Sequence, residues 1–346
     1  MGAATMGAYR PRRSFNANEL LAKLNQRNIE RVLVDPHFPH WPDKMRGVPN
    51  GVLRSALFGA IKRGKRRYME REDIPSVNGV SIVYTGPRLD QSDLDVWEGA
   101  LHLARPIQLG DAVEFTERGL LRLIGRGGLN GKNIGKSDRE WLRTVLARLK
   151  ATAVEIAQGP DTYMGSLIDD CFRESSSGRC LLFVNPSMKV LFGRNGWTRI
   201  DWGIRHALIG HPLAQWLHGF YSTHAEPLAY KVETLHRLCG SEAGEKATTD
   251  AERCKALLDW VRDSLMPALA LLEAVSKQAG QPFSSVIGGN GLVSVSRAPS
   301  PSQQRHLSSV GQRANSAPEN CSGGQSPNVR GDRARSWGIA PERGGG

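Results

Sequence analysis

The chain of 346 residues holds only five cysteines (Cys171, Cys180, Cys239, Cys254 and Cys321), odd in number and without a Cys-x-x-Cys pair. That argues against a zinc ribbon and a disulfide framework and fits a reducing cytoplasm. No two of the nine histidines stand two positions apart, so the paired-histidine metal cradle of nicking enzymes lacks its ligands. Long apolar runs are missing too. Residues 264–272 contain Pro267 and fall far short of the ~20 residues that cross a bilayer. Arg12-Arg13-Ser14-Phe15 leads into Asn16-Ala17-Asn18-Glu19 and not into an apolar stretch, so no export signal is read there. A cytoplasmic protein without a membrane partner is expected.

What is present is positive charge, unevenly spread. The net charge is +12, with fifteen Lys/Arg against five Asp/Glu in residues 1–71, twenty-four against twenty-six in residues 72–284, and seven against three beyond. A near-neutral centre with basic patches points to a polyanionic partner, most simply nucleic acid. One patch stands out. Residues 118–150 carry nine basic side chains (Arg118, Arg122, Arg126, Lys132, Lys136, Arg139, Arg143, Arg148, Lys150) against Asp138 and Glu140. As a helix, residues 136–150 put Trp141, Leu142, Val145, Leu146 and Leu149 on one side and Lys136, Arg139, Arg143 and Lys150 on the other.

Taken in order, residues 1–14 read as a basic arm and 18–34 as a helix, with Asn16 or Asn18 as its cap. A proline-rich connector follows, then a short helix over 50–61 capped by Asn50, and the basic run Lys62-Arg63-Gly64-Lys65-Arg66-Arg67. A strand is expected at 79–85, a helix at 93–104, a strand at 113–116 and a helix at 117–124. The glycine-rich turn at 125–131 leads into the basic helix. Residues 152–157 and 162–168, turning at Gly159-Pro160-Asp161, read as a hairpin beyond it. Helix, turn, helix, hairpin is the order of a winged helix, whose second helix enters the major groove.

The order recurs. A strand at 180–184, a short helix at 186–192, helices at 212–222 and 232–239, a long helix from Asp250 that Pro267 should kink or stop, and a hairpin over 283–296 make a second copy. The expectation is an α+β protein: a basic N-terminal arm and helix at 1–40, two tandem winged-helix domains at 41–184 and 185–297, and a disordered C-terminal tail at 298–346. That tail has Trp337 as its only aromatic residue and cannot bury enough apolar surface to order itself.

Two further patterns carry little chemistry. Gly131-Lys132-Asn133-Ile134-Gly135-Lys136-Ser137 nearly matches a phosphate-binding P-loop, but Asn130 stands where the first glycine is needed and no apolar strand precedes it. Asp169-Asp170 would point to opposite faces of a strand, and His37, His40, His211, His218 and His224 have no carboxylate at ligand spacing. No enzyme, no cofactor and no metal site are expected.

The segments Trp41-Pro42-Asp43-Lys44-Met45-Arg46, Pro49-Asn50, Arg54-Ser55-Ala56-Leu57-Phe58, Tyr84-Thr85-Gly86, Arg148-Leu149 with Ala151-Thr152-Ala153, Val190-Leu191-Phe192, Tyr221-Ser222-Thr223-His224 with Glu226-Pro227, and Leu238-Cys239-Gly240-Ser241 resemble, in this order, the TrfA family of plasmid replication initiators. The resemblance covers roughly residues 38–265. It implies two winged-helix domains that bind repeated sites (iterons) in double-stranded origin DNA, open adjacent AT-rich DNA with its single strands, and recruit the host's replicative helicase and sliding clamp, with a homodimer as a further state. The family's Gln-Leu-x-Leu-Phe clamp-binding peptide has no counterpart in Glu30-Arg31-Val32-Leu33-Val34. On this reading Lys136, Arg139 and Arg143 of the first recognition helix and Lys255 and Arg262 of the second face the groove. Lys62, Arg63, Lys65, Arg66, Arg67, Arg126 and Lys132 hold phosphates. A winged-helix transcriptional repressor is the alternative.

Overall fold

The computed structural model describes residues 37–315 apart from 62, 63, 65, 128–132, 160, 175–177 and 194; the arm and the helix expected at 18–34 lie outside the described residues. The architecture is mixed α/β, and helix Gln91–Ala104 sits at its centre. Asp90 opens that helix as a reciprocal capping box with Asp93, and the helix then buries Leu94, Val96, Trp97, Ala100, Leu101 and Ala104. Trp97 is fixed at its polar end by donating to the Leu167 carbonyl at 2.9 Å. Helix Lys136–Lys150 keeps the bounds read from its periodicity and buries Leu142, Val145, Leu146 and Leu149 against Gln91–Ala104 and Glu117–Leu123.

Three antiparallel sheets matter here. Val113–Thr116, Arg179–Phe183 and Asp170–Arg173 form one, with Arg179–Phe183 in the middle. Tyr230–Lys231, Leu292–Arg297 and Phe283–Ile287 form another, with Leu292–Arg297 in the middle. The four-stranded sheet runs Tyr68–Asp73, Val80–Pro87, Ala153–Gln158, Asp161–Gly165. The hairpin expected as the first wing therefore belongs to this larger sheet, because Val80–Pro87 offers Ala153–Gln158 an unbroken six-residue register. Strand Tyr68–Asp73 was not foreseen. Its Glu70-Arg71-Glu72-Asp73 run is polar on both faces, and a bulge between Met69 and Glu72, with Arg71 at φ 49°, breaks the alternation.

Other expectations change in detail. The helix foreseen over 50–61 stops at Leu53, and Phe58–Gly59 instead pairs in parallel with Leu89–Asp90. Thr249 caps helix Asp250–Trp260 through a box with Glu252. Pro267 does not end that helix. The π-turn Val261–Leu265 widens the coil just before it, and the axis continues through Met266–Gln278.

Core membership changes between Trp202 and Ile204. One cluster runs from Phe38 to Trp202 and a second from Ile204 to Val295, so residues 185–202, expected with the second domain, pack with the first. Met45–Pro49 pairing with Trp197–Asp201 is the cause, since it brings Phe192 and Trp197 of the later segment onto Trp41. Gly47 lets that strand pass the Trp41 ring, where an added Cβ would lie 2.5 Å from a ring carbon. The chain up to Pro301 is one unit and that from Ser302 a second; Pro301–Asn315 is helical where a disordered tail was expected, with proline in the first turn. Residues 316–346 lie outside the described residues.

Burial sets a pH dependence. Burial lowers His102 and His218 to about 3 and His224 to about 4, so all three are neutral in the fold and protonate in the unfolded chain. Burial raises Asp93 and Glu98 to about 7, so these two bind protons in the fold that the unfolded chain releases. Below about pH 6.5 the histidines outweigh the acids, and each fully buried one costs about 1.4 kcal/mol per pH unit of acidification. Above that, the acids make stability decline as pH rises toward 7. The urea midpoint is expected to peak between about pH 6 and 7 and to fall towards pH 4.5. A midpoint that stayed level across this range would contradict the assignment.

Candidate nucleic-acid interface

The outward face of helix Lys136–Lys150 is made by Lys136, Glu140, Arg143, Thr144 and Ala147, all exposed. Its approach is held from below. The Arg126 guanidinium lies 3.4 Å from the Trp141 ring centroid and 3.3 Å from Asp138, and Asp138 in turn accepts from the Gly135 N–H at 3.0 Å, closing the first turn. Arg126, expected on phosphate, is thus part of the brace that sets where the helix begins.

Arg143 is exposed and held side-on. Its Nε and Nη2 donate to the two oxygens of Glu117 at 2.6 and 2.9 Å. This bidentate bond from Arg143, with the charges of Arg173 and Arg139 nearby, holds the Glu117 carboxyl below its usual range. Glu117, the first residue of helix Glu117–Leu123, is buried. The side-on bond leaves the outer edge of the guanidinium, Nη1 and the second Nη2 hydrogen, directed away from Glu117. Arg139 donates weakly from Nε to the Gly135 carbonyl at 3.3 Å, and Lys136, 86% exposed, stands 3.8 Å from Glu140.

The remaining candidates divide. Arg66 is paired with the buried Asp90 carboxylate and only 13% exposed, which corrects its expected place on phosphate. Arg67 is exposed and bonded to Glu72 at 2.6 Å. Lys62, Arg63, Lys65 and Lys132 lie outside the described residues. On the second helix Lys255 is exposed, while Arg262 falls on the π-turn, clamped between Asp259 and Asp263 at 2.8 and 2.7 Å. Arg148 and Lys150 also spend their charge inward or sideways, on Asp93 and on Asp170 at 2.7 Å. Asp169 and Asp170 thus serve the helix end, and no cluster of three or more metal-ligating side chains occurs among the described residues.

Sequence reading missed Glu117, Arg173 and Arg179. The two arginines flank the turn of the Asp170–Arg173 and Arg179–Phe183 hairpin, and Arg179 reaches Glu114 across the sheet at 2.8 Å. Their signal, Arg-Glu before and Gly-Arg after three serines, was there but weaker than Gly159-Pro160-Asp161.

Fold and charge define a mixed α/β protein that presents a basic helix, Lys136–Lys150, to solvent. The chain belongs to the TrfA family, whose model (TrfA protein) matches residues 15–266. The plasmid replication initiator protein TrfA of Escherichia coli is 31% identical over 211 residues, 59% of this chain and 53% of that protein, so the chain spans about half of that relative's length. Two solved structures are similar at low identity. Domains 2 and 3 of RctB superpose with a TM-score of 0.47 at 12% identity, covering 73% of this chain and 98% of that one. The Pi initiator protein in complex with iteron DNA gives 0.41 at 10%, covering 65% and 100%. No helix among the described residues is long and apolar enough to cross a membrane.

Proposed function

We propose that the chain initiates plasmid replication by binding repeated sites in its origin through two tandem winged helices. The observation that carries this is one topology used twice. Gln91–Ala104, Val113–Thr116, Glu117–Leu123, Lys136–Lys150 and the hairpin Asp170–Arg173, Arg179–Phe183 follow in the same order as Pro212–Ser222, Tyr230–Lys231, Val232–Leu238, Asp250–Trp260 and the hairpin Phe283–Ile287, Leu292–Arg297. In both copies the last strand lies between the other two. In such a unit the helix ahead of the hairpin enters the major groove and the hairpin meets backbone. Arg139 and Arg143 then face base edges, Lys136, Arg173 and Arg179 face phosphates, and Lys255 is the second unit's cation toward DNA.

Family membership supports the initiator role, and with it opening of AT-rich origin DNA and recruitment of the host helicase and clamp, as a non-enzymatic, cofactor-free assembly factor. A repressor would use the same two units. DNase footprinting on the plasmid's own origin, paired with a test of whether the gene and origin alone replicate, separates them. Protection of origin repeats with autonomous replication is expected. Repeat protection without replication leaves the repressor, and protection no better than on random duplex sinks both readings.

A further inference from the structure

We propose that Arg205 fixes the angle between the two DNA-reading units, so that the chain recognises both parts of a repeat at one spacing only; this rests on the tandem winged-helix reading above. Arg205 lies on helix Trp202–Ala207, where core membership passes from the first cluster to the second. Its side chain is fully buried and reaches back to helix Gln91–Ala104 over two turns. Nε donates to Asp95 at 2.6 Å and lies 3.2 Å from Glu98, while Nη1 and Nη2 donate to the Gln91 side chain, both at 3.2 Å, and Nη2 to its carbonyl at 3.1 Å. From the other side, Gln215 of helix Pro212–Ser222 donates to the second Asp95 oxygen at 3.3 Å. The opening helices of the two units are thus joined through one carboxylate and one guanidinium.

Geometry makes this joint directional. Apolar seams tolerate sliding, because dispersion has no preferred bearing, whereas a planar fork bonded to acceptors at positions 91 and 95 and held beside Glu98 fits one orientation. Buried polar groups that set register are the best-attested use of such clusters. Further directional bonds cross the same seam: Arg54 donates to the Thr223 hydroxyl and carbonyl, both at 2.7 Å, and Trp216 donates to the Ser55 carbonyl at 3.0 Å. Lys136–Lys150 packs on Gln91–Ala104, and Met266–Gln278, into which Asp250–Trp260 runs through the π-turn, packs on Pro212–Ser222. An angle fixed between the opening helices is therefore passed to the reading helices.

The test uses the full chain and duplexes of its own origin repeat with zero to three base pairs inserted between the two protected segments; each insertion turns one segment about 35° relative to the other. Two chains are compared with wild type: Arg205→Lys, which keeps the charge but loses the fork, and the neutralised Asp95→Asn/Arg205→Met/Glu98→Gln. Wild type is expected to lose roughly 100-fold in affinity on insertion, as simultaneous engagement is lost. Both variants are expected to bind the native repeat less tightly and to vary less than about tenfold across spacings. A variant profile as sharp as wild type overturns the proposal. So does an equal loss at every spacing, the signature of a merely structural role. Should the neutralised chain fail to melt cooperatively, Arg205→Lys decides by the same criteria. Wild type that binds the repeat specifically yet ignores spacing also overturns it, while wild type with no preference for the repeat removes the tandem reading itself.

Discussion

Arg205→Met alone is expected to remove about 3–5 kcal/mol of folding stability, measured as the loss in urea unfolding free energy near pH 7. That is a large part of the 5–15 kcal/mol typical of folded domains. The loss comes less from the bonds Arg205 makes than from what it leaves behind. Against the cost of its burial, Asp95 and Glu98 keep the Arg205 guanidinium protonated. Without it Glu98 is left with Arg46, itself buried, stacked 4.2 Å from the Trp202 ring and lowered to about 10 chiefly by desolvation. Glu98 is already raised to about 7 by burial, so removing its nearest cation raises it further and the carboxyl takes up a proton. A carboxyl with a raised folded pKa contributes stability at low pH and loses it as pH rises, so the deficit of the variant should grow between about pH 6 and 8. The neutral triple variant carries no stranded charge and should recover most of the loss. If single and triple variants prove equally unstable, packing rather than charge balance governs the seam.

That seam shows why the sequence was only partly legible. Gln91, Asp95 and Glu98 are polar residues with nothing in the nearby sequence to mark them as buried; their partner is more than a hundred residues away, on a six-residue helix without periodicity. The same distance effect inflated the basic patch. Of its nine cations, Arg126, Lys136, Arg143, Arg148 and Lys150 are each paired with an acid, and three of those acids, Glu117, Asp93 and Asp170, lie outside the stretch whose charge was counted. Local physics was read well where it dominates. The bounds of Lys136–Lys150 follow from one apolar stripe, and the hairpins Ala153–Gln158 with Asp161–Gly165 and Phe283–Ile287 with Leu292–Arg297 follow from their turns. The larger sheet was invisible because Tyr68–Asp73 has no alternation to read, and without that sheet Ala153–Gln158 had no other destination than a wing.

Arg143→Ala is expected to weaken binding to the origin repeat by about 1–3 kcal/mol, roughly 5- to 150-fold, while leaving affinity for random duplex within a few-fold. The reason is the edge that Glu117 leaves open. With Nε and one Nη2 hydrogen committed to the carboxylate, the guanidinium presents Nη1 and the other Nη2 hydrogen as a parallel pair, the geometry that matches O6 and N7 of guanine. Lysine has no such pair, so Arg143→Lys should restore charge and non-specific affinity but little specificity. Glu117→Ala should lose specificity with Arg143 still in place, because an untethered arginine must be ordered at the moment of binding. Lys136→Ala is the contrast: a phosphate contact, its loss should weaken all duplexes alike and reduce the slope of log affinity against log salt by about one. Anisotropy titrations on repeat and random duplex at several salt concentrations measure all four chains together. Should Arg143→Ala instead behave as Lys136→Ala does, with equal losses on both duplexes and a shallower salt slope, Arg143 is a backbone contact and the base-reading role passes to Arg139 or to the second unit.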